Sequence, residues 1–186
     1  MYEQFPLQEK LNMLKDILKN IISKKKVIPF PEGFSVTPEQ AAKIVDFRGK
    51  IDTIFGRSLR IRQVDAGSCN ACEWECTALI NPIYDIQRFG IDFVASPRHA
   101  DVLLVTGPVS RQMELALKRT YIATPEPRLV VACGDCAKDG GIYKGSYAVT
   151  NGVANVVPVD CYIPGCPPTP TAILLGLTQL IDRYAR

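Results

Sequence analysis

Two uninterrupted apolar runs constrain this chain more than any other feature. Asp101-Val102-Leu103-Leu104-Val105-Thr106 ends at Gly107-Pro108, and Leu129-Val130-Val131-Ala132 ends at Cys133-Gly134. A strand with one wet face alternates apolar and polar residues; a strand without alternation is covered on both faces. Each run has strand length and is closed by turn residues. Covering both faces takes helices on each side, hence crossover connections and a parallel sheet.

The neighbouring segments agree. From Ser58 onward the pattern predicts strand Leu59–Val64, helix Glu73–Phe89 interrupted at Pro82, strand Ile91–Ala95 and helix Arg111–Ala123. Strand Val156–Val159 and a closing helix Thr171–Tyr184 follow. The fold class expected is α/β, a doubly wound, mainly parallel, flavodoxin-like sheet over residues 58–186. Residues 1–57 form an N-terminal helical extension. Leu7, Leu11, Leu14, Leu18 and Ile21 recur at helical spacing, so residues 5–26 read as an amphipathic helix closed by Lys24-Lys25-Lys26. It suits packing on a neighbour, or lying on a membrane surface or a partner subunit. Val27 to Pro38 reads as a linker rich in proline. A short helix then starts with Thr37 as N-cap and Pro38 at its first position, and runs to about Arg48.

A net charge of +3 gives no case for a nucleic-acid partner. No apolar run approaches the ~18 residues of a membrane span. There are seven cysteines, an odd number, and no signal peptide is evident, so the chain is expected in the cytoplasm with its thiols reduced or bound to metal.

The cysteines occur as Cys69-x2-Cys72, Cys76, Cys133-x2-Cys136 and Cys161-x4-Cys166. In doubly wound sheets the reactive loops gather outside the carboxyl ends of the strands. Cys69, Cys72, Cys133, Cys136 and Cys166 all follow strands or the loops after them. A first turn of helix beside Cys69 and Cys72 favours anionic sulfur. Three metal sites compete. Zinc takes two C-x2-C pairs, but these pairs are about sixty residues apart, against the ~15–20 of a zinc ribbon. A nickel–iron centre also takes two pairs, the second near the chain end beside a histidine; here the only histidine is His99 and no pair follows Cys166. The third is one iron–sulfur cluster held by thiolates from separate loops. Gly67, Gly134, Gly140-Gly141 and Gly165 would let backbone N–H groups approach its sulfurs.

Gly67-Ser68-Cys69-Asn70-Ala71-Cys72-Glu73, Ser96-Pro97-Arg98-His99-Ala100-Asp101, Gly107-Pro108-Val109, Gly134-Asp135-Cys136 with Gly140-Gly141, and Pro164-Gly165-Cys166-Pro167-Pro168 occur in order. Together they resemble the electron-transfer small subunit of membrane-bound, energy-converting [NiFe] hydrogenases, the group that includes formate hydrogenlyase. The homologous cluster subunit of respiratory complex I shares most of them. The resemblance covers Ser58 to Arg186. It implies one proximal [4Fe–4S] cluster on Cys69, Cys72, Cys136 and Cys166. It also implies a NiFe large subunit, a ferredoxin-like polyferredoxin subunit and membrane-arm subunits as partners, on the cytoplasmic face of the membrane. The complex I relatives carry two adjacent cysteines in the first motif; C-x2-C is the hydrogenase form. A quinone-coupled complex I-like module is the alternative within the redox class, and a structural zinc scaffold is the alternative outside it.

Cys133 ends an apolar strand and reads as a buried small hydrophobe that competes with Cys136 for iron. Cys76 lies one helical turn after Cys72, and Cys161 follows the predicted strand Val156–Val159. Glu73 and Glu75 sit where the helix dipole favours acids anyway. Glu73 also matches the family's glutamate, which implies a place at the subunit interface or in proton movement. Arg98 matches an interface position, His99 reads as a surface residue, and Trp74 as a core or interface aromatic.

Overall fold

The computed structural model describes residues 38–184, with side chains from Phe47 onward. The predicted helix over 5–26, the linker and the Thr37 cap lie outside the described residues. Among these residues five strands form: β1 (Leu59–Asp65), β2 (Ile91–Phe93), β3 (Val102–Thr106), β4 (Leu129–Cys133) and β5 (Cys161–Ile163). They make one all-parallel sheet in the order β2-β1-β3-β4-β5. This is the doubly wound order expected, and it reverses between β1 and β3, where such sheets open a crevice at their carboxyl edge. The helices are α1 (Pro38–Phe55), α2 (Ala71–Ala78), α3 (Arg111–Ala123), α4 (Asp135–Asp139) and α5 (Pro170–Tyr184).

All five residues of β3 and of β4 are buried. Their side chains alternate between two cores. Leu104, Val131 and Cys133 pack with Phe47, Ile51, Cys76, Ile173 and Leu177. Leu103, Val105, Val130 and Ala132 pack with Leu117, Val153 and Val157 on the other face. Each buried Leu, Val or Ile contributes about 1.5–3 kcal/mol from apolar burial.

Three elements differ from the sequence expectation. The helix expected over Glu73–Phe89 stops at Ala78 and resumes only as a 3-10 turn at Ile86–Phe89. Between them Asn81 Oδ1 accepts from the N–H of Ile83 at 2.9 Å and of Tyr84 at 3.1 Å, a turn that competes with helix. The strand expected at Val156–Val159 is absent. Pro158 cannot donate to a ladder, and Val153 and Val157 are buried under the opposite layer beside a 3-10 turn at Val153–Asn155. The fifth strand comes later, at Cys161–Ile163, with the buried–exposed–buried pattern of an edge. The helix expected to end near Arg48 runs on to Phe55, and Gly56 at φ 62° closes it. Phe47 and Ile51 on it are fully buried. Phe55 stacks on Tyr184, and Lys50 Nζ donates to Asp182 at 2.9 Å.

The amino end of the sheet is clamped by charge. Arg57 donates twice to Asp101, at 2.8 Å each, and Asp101 also accepts the Arg60 N–H at 3.0 Å. That pairing holds the Arg57 guanidinium above its usual pKa.

Candidate metal centre

At the carboxyl end three loops meet. After β1, Asp65 Oδ1 accepts the N–H of Gly67 and of Ser68, both at 2.9 Å. Ser68 Oγ accepts the Asn70 N–H at 3.1 Å and donates to Glu73 Oε2 at 2.6 Å. Thr106, at the end of β3, donates its hydroxyl to the other Glu73 oxygen. The Glu73 carboxylate therefore ties the first loop to the neighbouring strand. Gly107 follows with φ 85°, and a Cβ there would lie 2.7 Å from Ser68 N, so only glycine lets the two turns pack. Cys69 is exposed on this loop, and Cys72 is buried in the first turn of α2.

After β4 the chain turns at Gly134, φ 91°. A Cβ there would meet Cys72 Sγ at 2.8 Å. The loops after β1 and β4 thus touch at a thiol. Gly134 N donates to Ile163 O at 2.8 Å. Asp135 N donates to Gly165 O at 2.9 Å, and Gly165 N donates back to Asp135 Oδ1 at 3.0 Å. That reciprocal pair fastens the start of α4, which carries Cys136, to the Cys166 loop.

The four thiols expected to bind the cluster are brought to one edge. Burial pushes the Cys136 thiol up, and the nearby sulfurs of Cys166, Cys69 and Cys72 push it further. Cys72 is the other pole. The Cys133 thiol beside it stabilises its anionic form and holds its pKa below the usual value. Cys133 itself is driven up by Cys72, by Cys76 and by burial. Cys133 and Cys76, both buried in the core, therefore neighbour Cys72 on its inner side. Among the described residues no three His, Cys, Asp or Glu side chains are close enough to share a single metal ion. A cubane cluster bonds each thiolate to a different iron and takes a wider set of sulfurs. Four soft sulfur donors with glycine-rich backbone between them fit such a group.

Other residues singled out by the sequence stand elsewhere. Cys161 is buried in β5, and its thiol reaches the Gly176 carbonyl at 3.9 Å. Arg98 and His99 are exposed on a 3-10 turn, where Ser96 Oγ accepts the Arg98 N–H at 3.3 Å. Trp74 is 68% exposed, which removes a core role. Sequence reasoning missed Asp65, which folds the first loop, and Thr106 and Asp135, which tie neighbouring segments together. Only Asp135 left a signal, as the middle residue of Gly134-Asp135-Cys136.

The family described as NADH ubiquinone oxidoreductase, 20 Kd subunit, matches residues 69–180. Formate hydrogenlyase subunit 7 of Escherichia coli is 46% identical over 125 residues, which is 67% of this chain and 49% of that protein. The chain thus spans about half the length of that relative. The probable membrane-bound hydrogenase subunit mbhJ of Pyrococcus furiosus is 44% identical over 132 residues, 71% of this chain and 79% of that one. Among solved structures, a chain of the membrane-bound sulfane sulfur reductase, an archaeal respiratory membrane complex, superposes with a TM-score of 0.62 at 32% identity. That match covers 79% of this chain and 76% of that one.

Proposed function

The chain belongs to the NADH ubiquinone oxidoreductase 20 Kd subunit family and is part of an oxidoreductase, and from that premise we propose that it is the electron-transfer small subunit of a membrane-bound [NiFe] hydrogenase. Cys69, Cys72, Cys136 and Cys166 hold one [4Fe–4S] cluster that is proximal to a nickel–iron site in a large partner subunit. Ferredoxin-like and membrane-arm subunits complete the assembly. No helix among the described residues is long and apolar enough to cross a membrane; in this reading the chain is held at the membrane by its partner subunits.

One observation carries the reading: the thiols of Cys69 and Cys72, after β1, and of Cys166, after β5, lie near Cys136, after β4. When bound, a [4Fe–4S] cluster takes up and gives back single electrons. The protein supplies position and electrostatics. Cys72 and Cys136 are sheltered, while Cys69 and Cys166 are exposed toward a partner. Trp74, beside Cys72 and turned outward, supplies an aromatic contact surface of the kind that anchors interfaces. Glu73 accepts two hydroxyl hydrogen bonds and positions the first loop. The C-x2-C spacing of Cys69 and Cys72 favours the hydrogenase form over a quinone-coupled one.

The test is H2-dependent reduction of a one-electron dye by the purified complex, with iron and nickel measured. Wild type should reduce the dye. Cys69→Ser should interrupt transfer while nickel stays in the partner. A complex that holds no nickel and reduces a quinone, or a zinc-loaded colourless chain, would replace this reading.

A further inference from the structure

β3 lies between β1 and β4 in the sheet. The loop after it, residues 107–110, therefore leaves the carboxyl edge between the segment that carries Cys69 and Cys72 and the turn that carries Cys136. It holds no cysteine itself. Toward β1 it is joined at three places. Thr106, fully buried, ends β3 and donates its hydroxyl to Glu73, the residue after Cys72. The other Glu73 oxygen takes the Ser68 hydroxyl at 2.6 Å, so one carboxylate bridges the sheet and the residue before Cys69. Ser110 N then donates to Ala66 O at 2.8 Å. Between these bonds the backbones touch: a Cβ on Gly107 would lie 2.7 Å from Ser68 N, and one on Gly67 would lie 2.8 Å from Ser110 Cβ.

Toward β4 the same loop is held by the segment that returns from α4. Val109 O accepts the Thr150 N–H at 2.9 Å and the Thr150 hydroxyl at 3.1 Å. Pro108 O accepts the Gly152 N–H at 3.2 Å. Gly152 in turn is pressed against α4, where its Cβ would fall 2.4 Å from Lys138 O. Val109 between these contacts is fully buried with φ 55°. A β-branched residue in that region is a true outlier. Such strain persists only where the surroundings over-determine the backbone.

On the reading that Cys69, Cys72 and Cys136 hold the cluster, we propose that residues 106–110 are a cysteine-free clamp that fixes the Cys69–Cys72 segment relative to the Cys136 turn, with Thr106 as its positioning residue. The Thr106 hydroxyl acts through Glu73 and touches no sulfur. Its other acceptor, the Val64 carbonyl, stands farther off at 3.4 Å. A soft cluster imposes little geometry of its own on two separate loops, so the protein must set it.

The experiment compares wild type, Thr106→Val, Thr106→Ser and Val109→Gly in the purified complex. It reads iron released to a chelator over time, the low-temperature EPR line shape, and backbone hydrogen–deuterium exchange. Valine keeps the shape of threonine and lacks the donor; serine keeps the donor. Thr106→Val should release iron about tenfold faster, the scale of one hydrogen bond to a charged group. Its EPR signal should broaden, and exchange should rise over residues 66–76 while β3 and β4 stay protected. Thr106→Ser should follow wild type in all three. If Thr106→Val accumulates poorly, Val109→Gly opens the clamp elsewhere. Glycine takes φ 55° without strain and leaves the loop slack, so iron release should again rise, with exchange over residues 107–110 and 148–152. Release and line shape equal to wild type in both variants would overturn the proposal. So would equal loss in Thr106→Ser, or exchange that rises evenly along the chain, since either reduces Thr106 to packing. A wild-type complex without an iron–sulfur signal would overturn the proposed function itself, an outcome distinct from unchanged release.

Discussion

The two ends of the sheet are built from opposite materials. At the amino end one carboxylate, Asp101, is saturated by a bidentate arginine and a backbone N–H. It is 8% exposed, and its hydrogen bonds close on one another. At the carboxyl end the loops carry thiols that repel one another when ionised, and the surrounding bonds hold backbone rather than sulfur. Asp65, Glu73 and Asp135 fix the loops and leave the sulfurs available. The amino end lowers the energy of the fold. The carboxyl end stores a set of soft donors that a bound group would neutralise. Stability and ligand capacity have been separated along the strand direction, as the topology of parallel sheets favours.

That contrast can be broken at either end. The largest effect is expected from Cys69→Ser or Cys136→Ser. Electron transfer to a dye should fall by orders of magnitude, while the urea midpoint of the chain stays close to wild type. A large loss of stability would mean the thiols are structural. Next comes Gly134→Ala. A residue with a Cβ at φ 91° is strained by about 1–3 kcal/mol, and the Cβ falls on Cys72 Sγ. Iron per chain should drop together with stability, and the two should be compared on one sample. Asp101→Ala is expected to cost about 1–3 kcal/mol, since it leaves the Arg60 N–H without its acceptor and Arg57 with only the Ser58 carbonyl. Iron per folded chain should not change; a change would show that the two ends are coupled. The smallest effect on stability belongs to Trp74→Ala, within about 0.5 kcal/mol for so exposed a side chain. Its readout is co-purification of the large subunit, expected to weaken. Undiminished recovery would take Trp74 out of the interface.

Cys133 and Cys136 show how the ligand question divides between sequence and fold. Three residues apart in a C-x2-C, they look equivalent on paper. The strand carries Cys133 into the core, and Gly134 then turns the chain so that Cys136 stands in the first turn of α4, near Cys166 and Cys69. The apolar run up to Cys133 and the glycine after it already pointed that way. Nothing in the sequence indicated that Cys76 and Cys133 would meet at Cys72. The spacing from Cys76 to Cys133 is set by a helix, two strands and their crossovers.

Local chemistry explains what was legible. β3, β4 and α3 were readable because uninterrupted apolar runs and helical periodicity are encoded residue by residue. The α/β class followed from them, and so did the placing of cysteines after strands. Elements that depend on distant neighbours were not readable. Val156–Val159 has the composition of a strand, yet Pro158 and the burial of Val153 and Val157 under the opposite layer make it a turn and hand the edge position to Cys161–Ile163. α1 has weak periodicity, and Phe47 and Ile51 show their purpose only once the sheet is there to receive them. By itself, then, the sequence determined which segments are covered on both faces and which residue types stand in the loops. The tertiary structure alone decided strand order, which thiols share an edge and which lie beneath it. Burial and sulfur–sulfur contact are properties of residues far apart in the chain, and only packing brings them within reach.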